Sequence, residues 1–259
     1  MADTVLIERD GPIVTVVINR PEKLNAINKM TWIALGDVIE VLEADDTVRC
    51  IVLRGAGDKA FSPGGDSSEF ETERADRDKA RAYNTTVERT INALEACRHP
   101  TLALIKGVCV GGGLEVAAFC DMRFCGQSSK FGVPIKRLGL VMAYAELRGI
   151  VNLVGRAKTL EILLEGRIFG SDEALRMGLV NRIDADDEVE AECYATACRV
   201  AEGAPLVARF HKQALIRLAD PTPLSNEEIE ASLDCYASED FHIGYRAFLD
   251  KISPEFKGR

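Results

Sequence analysis

The sequence predicts an α/β core followed by a helical tail. Three observations predict it. Short apolar runs alternate with helix-period segments over the first half of the chain, which calls for parallel strands joined by helical crossovers. From about residue 145 onward the pattern is almost wholly helical. The whole is 259 residues, 47% hydrophobic and 28% charged, a globular composition long enough for one large domain.

Taken in order, residues 4–9 and 13–18 read as strands joined at Asp10-Gly11, a hairpin signal, and Pro21 stops the sheet. From Asn28 to about Glu43, Met30, Ile33, Val38, Val41 and Leu42 follow helical spacing. Cys50 to Leu53 is a short apolar run bounded by Gly55, hence a buried strand. Residues 67–77 are polar and charged and predict a mobile loop or frayed helix. Residues 78–97 read as a helix, ended by His99-Pro100. Further strands are expected at 101–105, 122–125 and 131–133, with a short helix at 112–119. Helices are then expected at 145–153, 156–164, 171–176, 186–203, 205–219, 225–238 and 241–252, separated mostly by Gly and Pro. Val180 to Ile183 is expected to add an edge strand. The expected division is a core of residues 1–195 and a helical region of 196–259.

The formal charge of −9, from 32 Lys+Arg against 41 Asp+Glu, argues against nucleic acid as a partner. No apolar run approaches the ~20 residues of a membrane span. The N-terminus lacks the basic and apolar regions of a signal peptide. The eight cysteines are scattered, several within apolar runs, and no Cys-x-x-Cys pair occurs. A reduced cytoplasmic protein without a metal site is expected.

Two glycine-bearing stretches about forty-five residues apart carry the chemistry. They are Ala60-Phe61-Ser62-Pro63-Gly64-Gly65-Asp66 and Gly107-Val108-Cys109-Val110-Gly111-Gly112-Gly113-Leu114-Glu115. Each lets a backbone N–H approach a ligand, and two converging N–H groups stabilise an anionic oxygen. The triplet is no P-loop, because Gly113-Leu114 stands where Lys-Ser/Thr would follow, and it lacks the third glycine of a dinucleotide fingerprint. Taken singly, each stretch also reads as a tight turn, with Asp66 an N-cap and Glu115 an acid complementing a helix dipole.

Together with Asn19-Arg20-Pro21-Glu22-Lys23-Leu24-Asn25-Ala26-Ile27-Asn28, Cys120-Asp121, Phe131-Gly132-Val133-Pro134, Ala174 through Val180, and Ala247-Phe248-Leu249 to Lys251, these stretches resemble the crotonase superfamily, the enoyl-CoA hydratase/isomerase family. Order and spacing match over nearly the whole chain. The resemblance implies a ββα spiral core, a trimer-forming helical tail (a homotrimer or a dimer of trimers), and an acyl-CoA thioester substrate, with coenzyme A as part of the substrate and no separate cofactor. It implies that the N–H groups of Gly65 and Gly112 hold the thioester oxygen and that Glu115 is the acid/base. Lys23, Leu24, Ala26 and Asp66 would contact coenzyme A, and Phe248 and Lys251 would reach a neighbour's.

The second glutamate of the family's hydratases is absent: Ile135 stands in its place. Double-bond isomerisation needs one carboxylate, whereas hydration wants two. Tyr144 falls where some relatives carry a catalytic aspartate, and Glu146 follows two residues on. Each also reads structurally, Tyr144 as a packed aromatic and Glu146 as a first-turn helix acid. Lys136 and Arg137 add cations that could neutralise Glu146, bind an acidic acyl group or face solvent. Two other functions remain. One is a CoA-thioester-binding protein without activity. The other is a serine nucleophile at Ser62 served by His99 or His211.

Overall fold

The computed structural model describes residues 3–259. β1 (Val5–Asp10) and β2 (Ile13–Ile18) form the expected antiparallel hairpin, with Asp10 opposite Ile13. α1 (Lys29–Glu43) starts at Asn28, whose side chain accepts the Thr31 N–H at 2.9 Å. Its inward face is Trp32, Leu35, Ile39 and Leu42. Met30 and Val41, expected on that face, are exposed, because the inward stripe starts two residues after Met30.

A repeating two-strand unit follows. β3 (Cys50–Gly55) enters the larger sheet and β4 (Ala60–Ser62) the smaller. After α2 (Phe70–Glu73) and α3 (Arg77–Ala96), β5 (Thr101–Ile105) returns to the larger sheet and β6 (Val108–Val110) to the smaller. After α4 (Gly112–Ala118), β7 (Met122–Gly126) and β8 (Lys130–Gly132) repeat the move. The orders are β1-β2-β3-β5-β7-β10 and β4-β6-β8-β9, with β9 at Phe169–Gly170 and β10 at Arg182–Asp184. From β2 to β10 the larger sheet is parallel throughout. This is a ββα spiral: each turn contributes one strand to each sheet.

A parallel sheet is covered on both faces, which is why its strands are continuously apolar. Ile51 and Leu53 of β3 join one core with Trp32 and Leu35 of α1, Val87 and Ile91 of α3, and Phe61, Cys109 and Phe131 of the smaller sheet. Cys50 and Val52 point the other way, into a second core closed by Val189, Cys193, Ala197 and Ala201. Those four residues lie on α7 (Val189–Glu202), so the division expected between residues 195 and 196 falls within one helix packed on the sheet.

Residues 67–77, expected to be a loop or frayed helix, form a 3-10 turn at Ser67–Glu69 and then α2. The two helices expected at 145–153 and 156–164 are both present, together α5 (Tyr144–Glu165), and meet at a kink where Gly155 has a non-helical φ of 71°. α6 (Ser171–Arg176) precedes β10, and α8 (Pro205–Leu218), α9 (Asn226–Glu230), a 3-10 stretch at Ala231–Ala237 and α10 (Glu239–Asp250) complete the tail. Lys212 of α8 fastens the tail to the core, pairing with Asp121 at 2.9 Å and donating to the His99 carbonyl at 3.0 Å.

Candidate active site

The glycine stretches meet because β4 and β6 are parallel neighbours, Ser62 opposite Cys109. Their C-terminal ends lie on one edge of the smaller sheet, so the chain leaving each strand enters the same space. Gly64 has a φ of 103°, and a Cβ there would stand 2.9 Å from the Gly112 nitrogen and 3.0 Å from the Val110 oxygen. Only glycine permits that approach. A Cβ on Gly112 would in turn lie 3.5 Å from the Gly65 nitrogen and 3.3 Å from the Trp32 ring.

Neither the Gly65 nor the Gly112 N–H donates to another group among the described residues. Gly65 bridges Ile27, but the bonds run from the Ile27 N–H to the Gly64 oxygen and from the Asp66 N–H to the Ile27 oxygen. Gly112 is the first residue of α4, whose opening N–H groups have no partner within the helix.

The two stretches floor a cavity of about 140 Å³. Glu115, from the first turn of α4, reaches it while only 6% exposed. Glu146, from the first turn of α5, lines the same cavity. Burial raises the Glu115 carboxyl well above its ordinary value, and the charge of Glu146 raises it further against the opposing pull of Arg74. The Glu146 carboxyl is raised too, by burial, although it accepts the Ala143 N–H and feels the same arginine. Glu146 therefore caps α5 and shares the Glu115 cavity at once. Like carboxylates in one desolvated space resist ionising together. Ile135 sits in the cavity wall as an apolar contact.

Tyr144 is 93% exposed and lies outside this cavity, on a separate groove. Lys136 turns away from the carboxylates and donates to the Leu164 carbonyl at the end of α5. The cation at the site is Arg74, which lies between α2 and α3 in the segment expected to be a loop. Its guanidinium lies over the rings of Tyr83 at 4.6 Å and Phe70 at 5.3 Å. Burial pushes the Tyr83 phenol up to about 12, so it stays protonated at neutral pH. Trp32, Phe70, Arg74 and Tyr83 line the cavity and escaped the sequence reading. Tyr83 and Trp32 had a usable signal, the inward stripes Tyr83, Val87, Ile91 and Leu94 on α3 and Trp32, Leu35, Ile39 and Leu42 on α1.

Lys23 and Leu24 are exposed, and Ala26 is buried. The Asn25 side chain pins this turn, donating to the carbonyls of Ala56 and Ala60 at 3.0 and 2.8 Å. Arg20 joins it to the oxyanion stretch, bonding the Ala26 oxygen at 2.7 Å and Asp66 at 2.9 Å. Burial opposes ionisation of Asp66, but the Ser68 hydroxyl and N–H and the Arg20 guanidinium outweigh it and hold the carboxyl below its ordinary value. Asp66 is thus occupied as a local clamp. Phe248 is 83% exposed and Lys251 ends α10 at a φ of 57°; neither lines the cavity.

The serine reading is not assembled. Ser62 Oγ is buried and accepts the Gly64 N–H at 3.1 Å. His99 is buried against the Leu42 oxygen, and His211 lines a recess beside α8.

The chain has been compared with known proteins. A family model described as enoyl-CoA hydratase/isomerase matches residues 8–259. A short-chain-enoyl-CoA hydratase of Clostridium acetobutylicum is 31% identical over 260 residues, 99% of each chain. Among solved structures, an enoyl-CoA hydratase/carnithine racemase from Magnetospirillum magneticum superposes with a TM-score of 0.98 at 45% identity, covering 100% of this chain and 97% of the other. An enoyl-CoA hydratase/isomerase family protein from Hyphomonas neptunium gives 0.95 at 33%, covering 100% and 99%. With a spiral of paired strands, two glycine stretches on one edge and a match that runs nearly end to end, the chain belongs to the enoyl-CoA hydratase/isomerase family.

Proposed function

We propose that this enzyme hydrates a 2-enoyl-CoA thioester through an enolate, with Glu115 and Glu146 as its proton-transfer pair. The observation that carries this reading is the presence of Glu146 in the Glu115 cavity, where it supplies from α5 the carboxylate that Ile135 does not. The N–H groups of Gly65 and Gly112 hold the thioester oxygen. One carboxylate, ionised, takes a proton from water as the water oxygen bonds to Cβ. The Cβ=Cα electron pair moves toward the thioester oxygen, and the other carboxyl, protonated, gives its proton to Cα as the carbonyl re-forms. One water is added, and the shared proton ends on the opposite carboxylate, from which exchange resets the pair. Mutual repulsion supports such a division into one acid and one base.

A second reading has its own observation: Glu146 already holds the Ala143 N–H. If that is its whole task, Glu115 alone shuttles a proton between Cα and Cγ, and the reaction is double-bond isomerisation. Coenzyme A would follow the turn at Lys23, Leu24 and Ala26, and Phe248 and Lys251 would serve a neighbouring subunit, in keeping with the exposed apolar side chains of Phe248, Leu249 and Ile252.

The test offers crotonyl-CoA and a 3-enoyl-CoA to the wild type, Glu115→Gln and Glu146→Gln, following ultraviolet absorbance and product mass. Hydration by the wild type should fall roughly 10²–10⁴-fold in each variant, with thioester affinity retained. Hydration surviving in Glu146→Gln leaves Glu146 as a cap only. Binding without turnover on either thioester would favour a non-catalytic binding protein.

A further inference from the structure

We propose that Arg74 makes this enzyme selective for acyl groups that carry a distal carboxylate, taking the thioester of a dicarboxylic acid in preference to its neutral counterpart. The inference rests on the site being the acyl-CoA site argued above, and it names the substrate class.

Arg74 forms no ion pair with the acids around it: Glu115 and Glu146 feel its charge without pairing with it, Glu71 stands exposed at the same recess, and the others are held elsewhere. Glu73 pairs with Lys29 at 2.7 Å, Glu69 accepts the Lys29 N–H at 2.9 Å, Asp66 pairs with Arg20, and Glu146 holds the Ala143 N–H. Among the described residues Arg74 has no ion-pair partner. Its plane is taken up by the rings of Tyr83 and Phe70, which leaves its edge, the fork of N–H donors that matches a carboxylate two-to-two. That edge is close to the reacting end: a Cβ on Gly65 would lie 3.7 Å from Arg74 Nη1.

Arg74 also lines a wider, more open recess of about 510 Å³ that shares Phe70, Leu138 and Leu140 with the Glu115 cavity. It therefore stands where an acyl chain would pass from the cavity into the recess. The rest of the wall there is apolar apart from Glu71, which is exposed. A plain hydrocarbon chain would cover the guanidinium and leave its donors unmet, a costly arrangement. A carboxylate at the end of the chain would meet them.

Calorimetry with saturated thioesters tests this apart from the chemistry, because they bind without being hydrated. The probes are butyryl-CoA against succinyl-CoA and hexanoyl-CoA against adipyl-CoA. The wild type should bind the better-fitting diacid thioester at least roughly 10-fold more tightly than its neutral match. Arg74→Met should lower that ratio roughly 10–100-fold, and Arg74→Lys should fall between. A wild-type ratio at or below one, a ratio unmoved by Arg74→Met, or no binding of any thioester would overturn the proposal. Failure of turnover with the ratio intact would fault the hydration reading alone.

Discussion

At the scale of single residues, the site turns on one carboxyl with little water around it. Glu115 was legible from the sequence because it closes a glycine-rich turn. What the sequence could not convey is that Glu146 enters the same cavity: the two lie thirty-one positions apart (146 minus 115), on helices whose packing is set by the whole spiral. Arg74 was hidden for a related reason. A polar, charged stretch reads as solvated until Phe70 and Tyr83 are placed beneath it. The raised Glu115 carboxyl has a consequence for stability. The fold favours its neutral form, so its contribution is intact below the ordinary carboxylate value of 4.5 and is lost as pH climbs from there through the raised value. Over that window the slope approaches about 1.4 kcal/mol per pH unit. Glu115→Gln cannot ionise. Its melting temperature should match the wild type near pH 4 and exceed it increasingly as pH rises, by roughly 2–4 °C per kcal/mol. Parallel melting curves across pH would show that the carboxyl is not held neutral.

At the scale of elements, the larger sheet was legible, whereas of the smaller one only β8, expected at 131–133, was. Strands of five or six mainly apolar residues announced β2, β3, β5 and β7. β4, β6 and β9 have two or three residues each, too few for any periodicity to register. Those short strands nevertheless position the site, since the parallel pairing of β4 with β6 brings the two glycine stretches to one edge. Gly64 is the contact point. Gly64→Ala would force a methyl toward the Gly112 nitrogen and Val110 oxygen at a φ that side chains avoid. It should cost about 1–3 kcal/mol of stability and, by parting the donors, roughly 10²–10³-fold in kcat. Stopped-flow rates beside a denaturant melt would check both, and a kcat near that of the wild type would detach this contact from the oxyanion site.

At the scale of the whole molecule, the site is a composite of distant stretches: α1 supplies Trp32, the β4 and β6 exits supply the two glycine stretches, α4 and α5 supply Glu115 and Glu146, and the segment between α2 and α3 supplies Arg74. The family resemblance conveyed the spiral and the two glycine stretches because their motifs are local. It pointed to Glu146 and Tyr144 alike near Ile135, and only the packing of α5 brings Glu146 and not Tyr144 into the cavity. The central claim is that Glu115 and Glu146 share one site and influence each other's protons. Carbon-13 NMR titration of glutamate-labelled protein, wild type against Glu146→Gln, tests it most directly. Glu115 should titrate well above the ordinary carboxylate range in the wild type and move down in the variant, while staying raised because burial is the larger cause. A Glu115 titration unchanged by Glu146→Gln would contradict that claim.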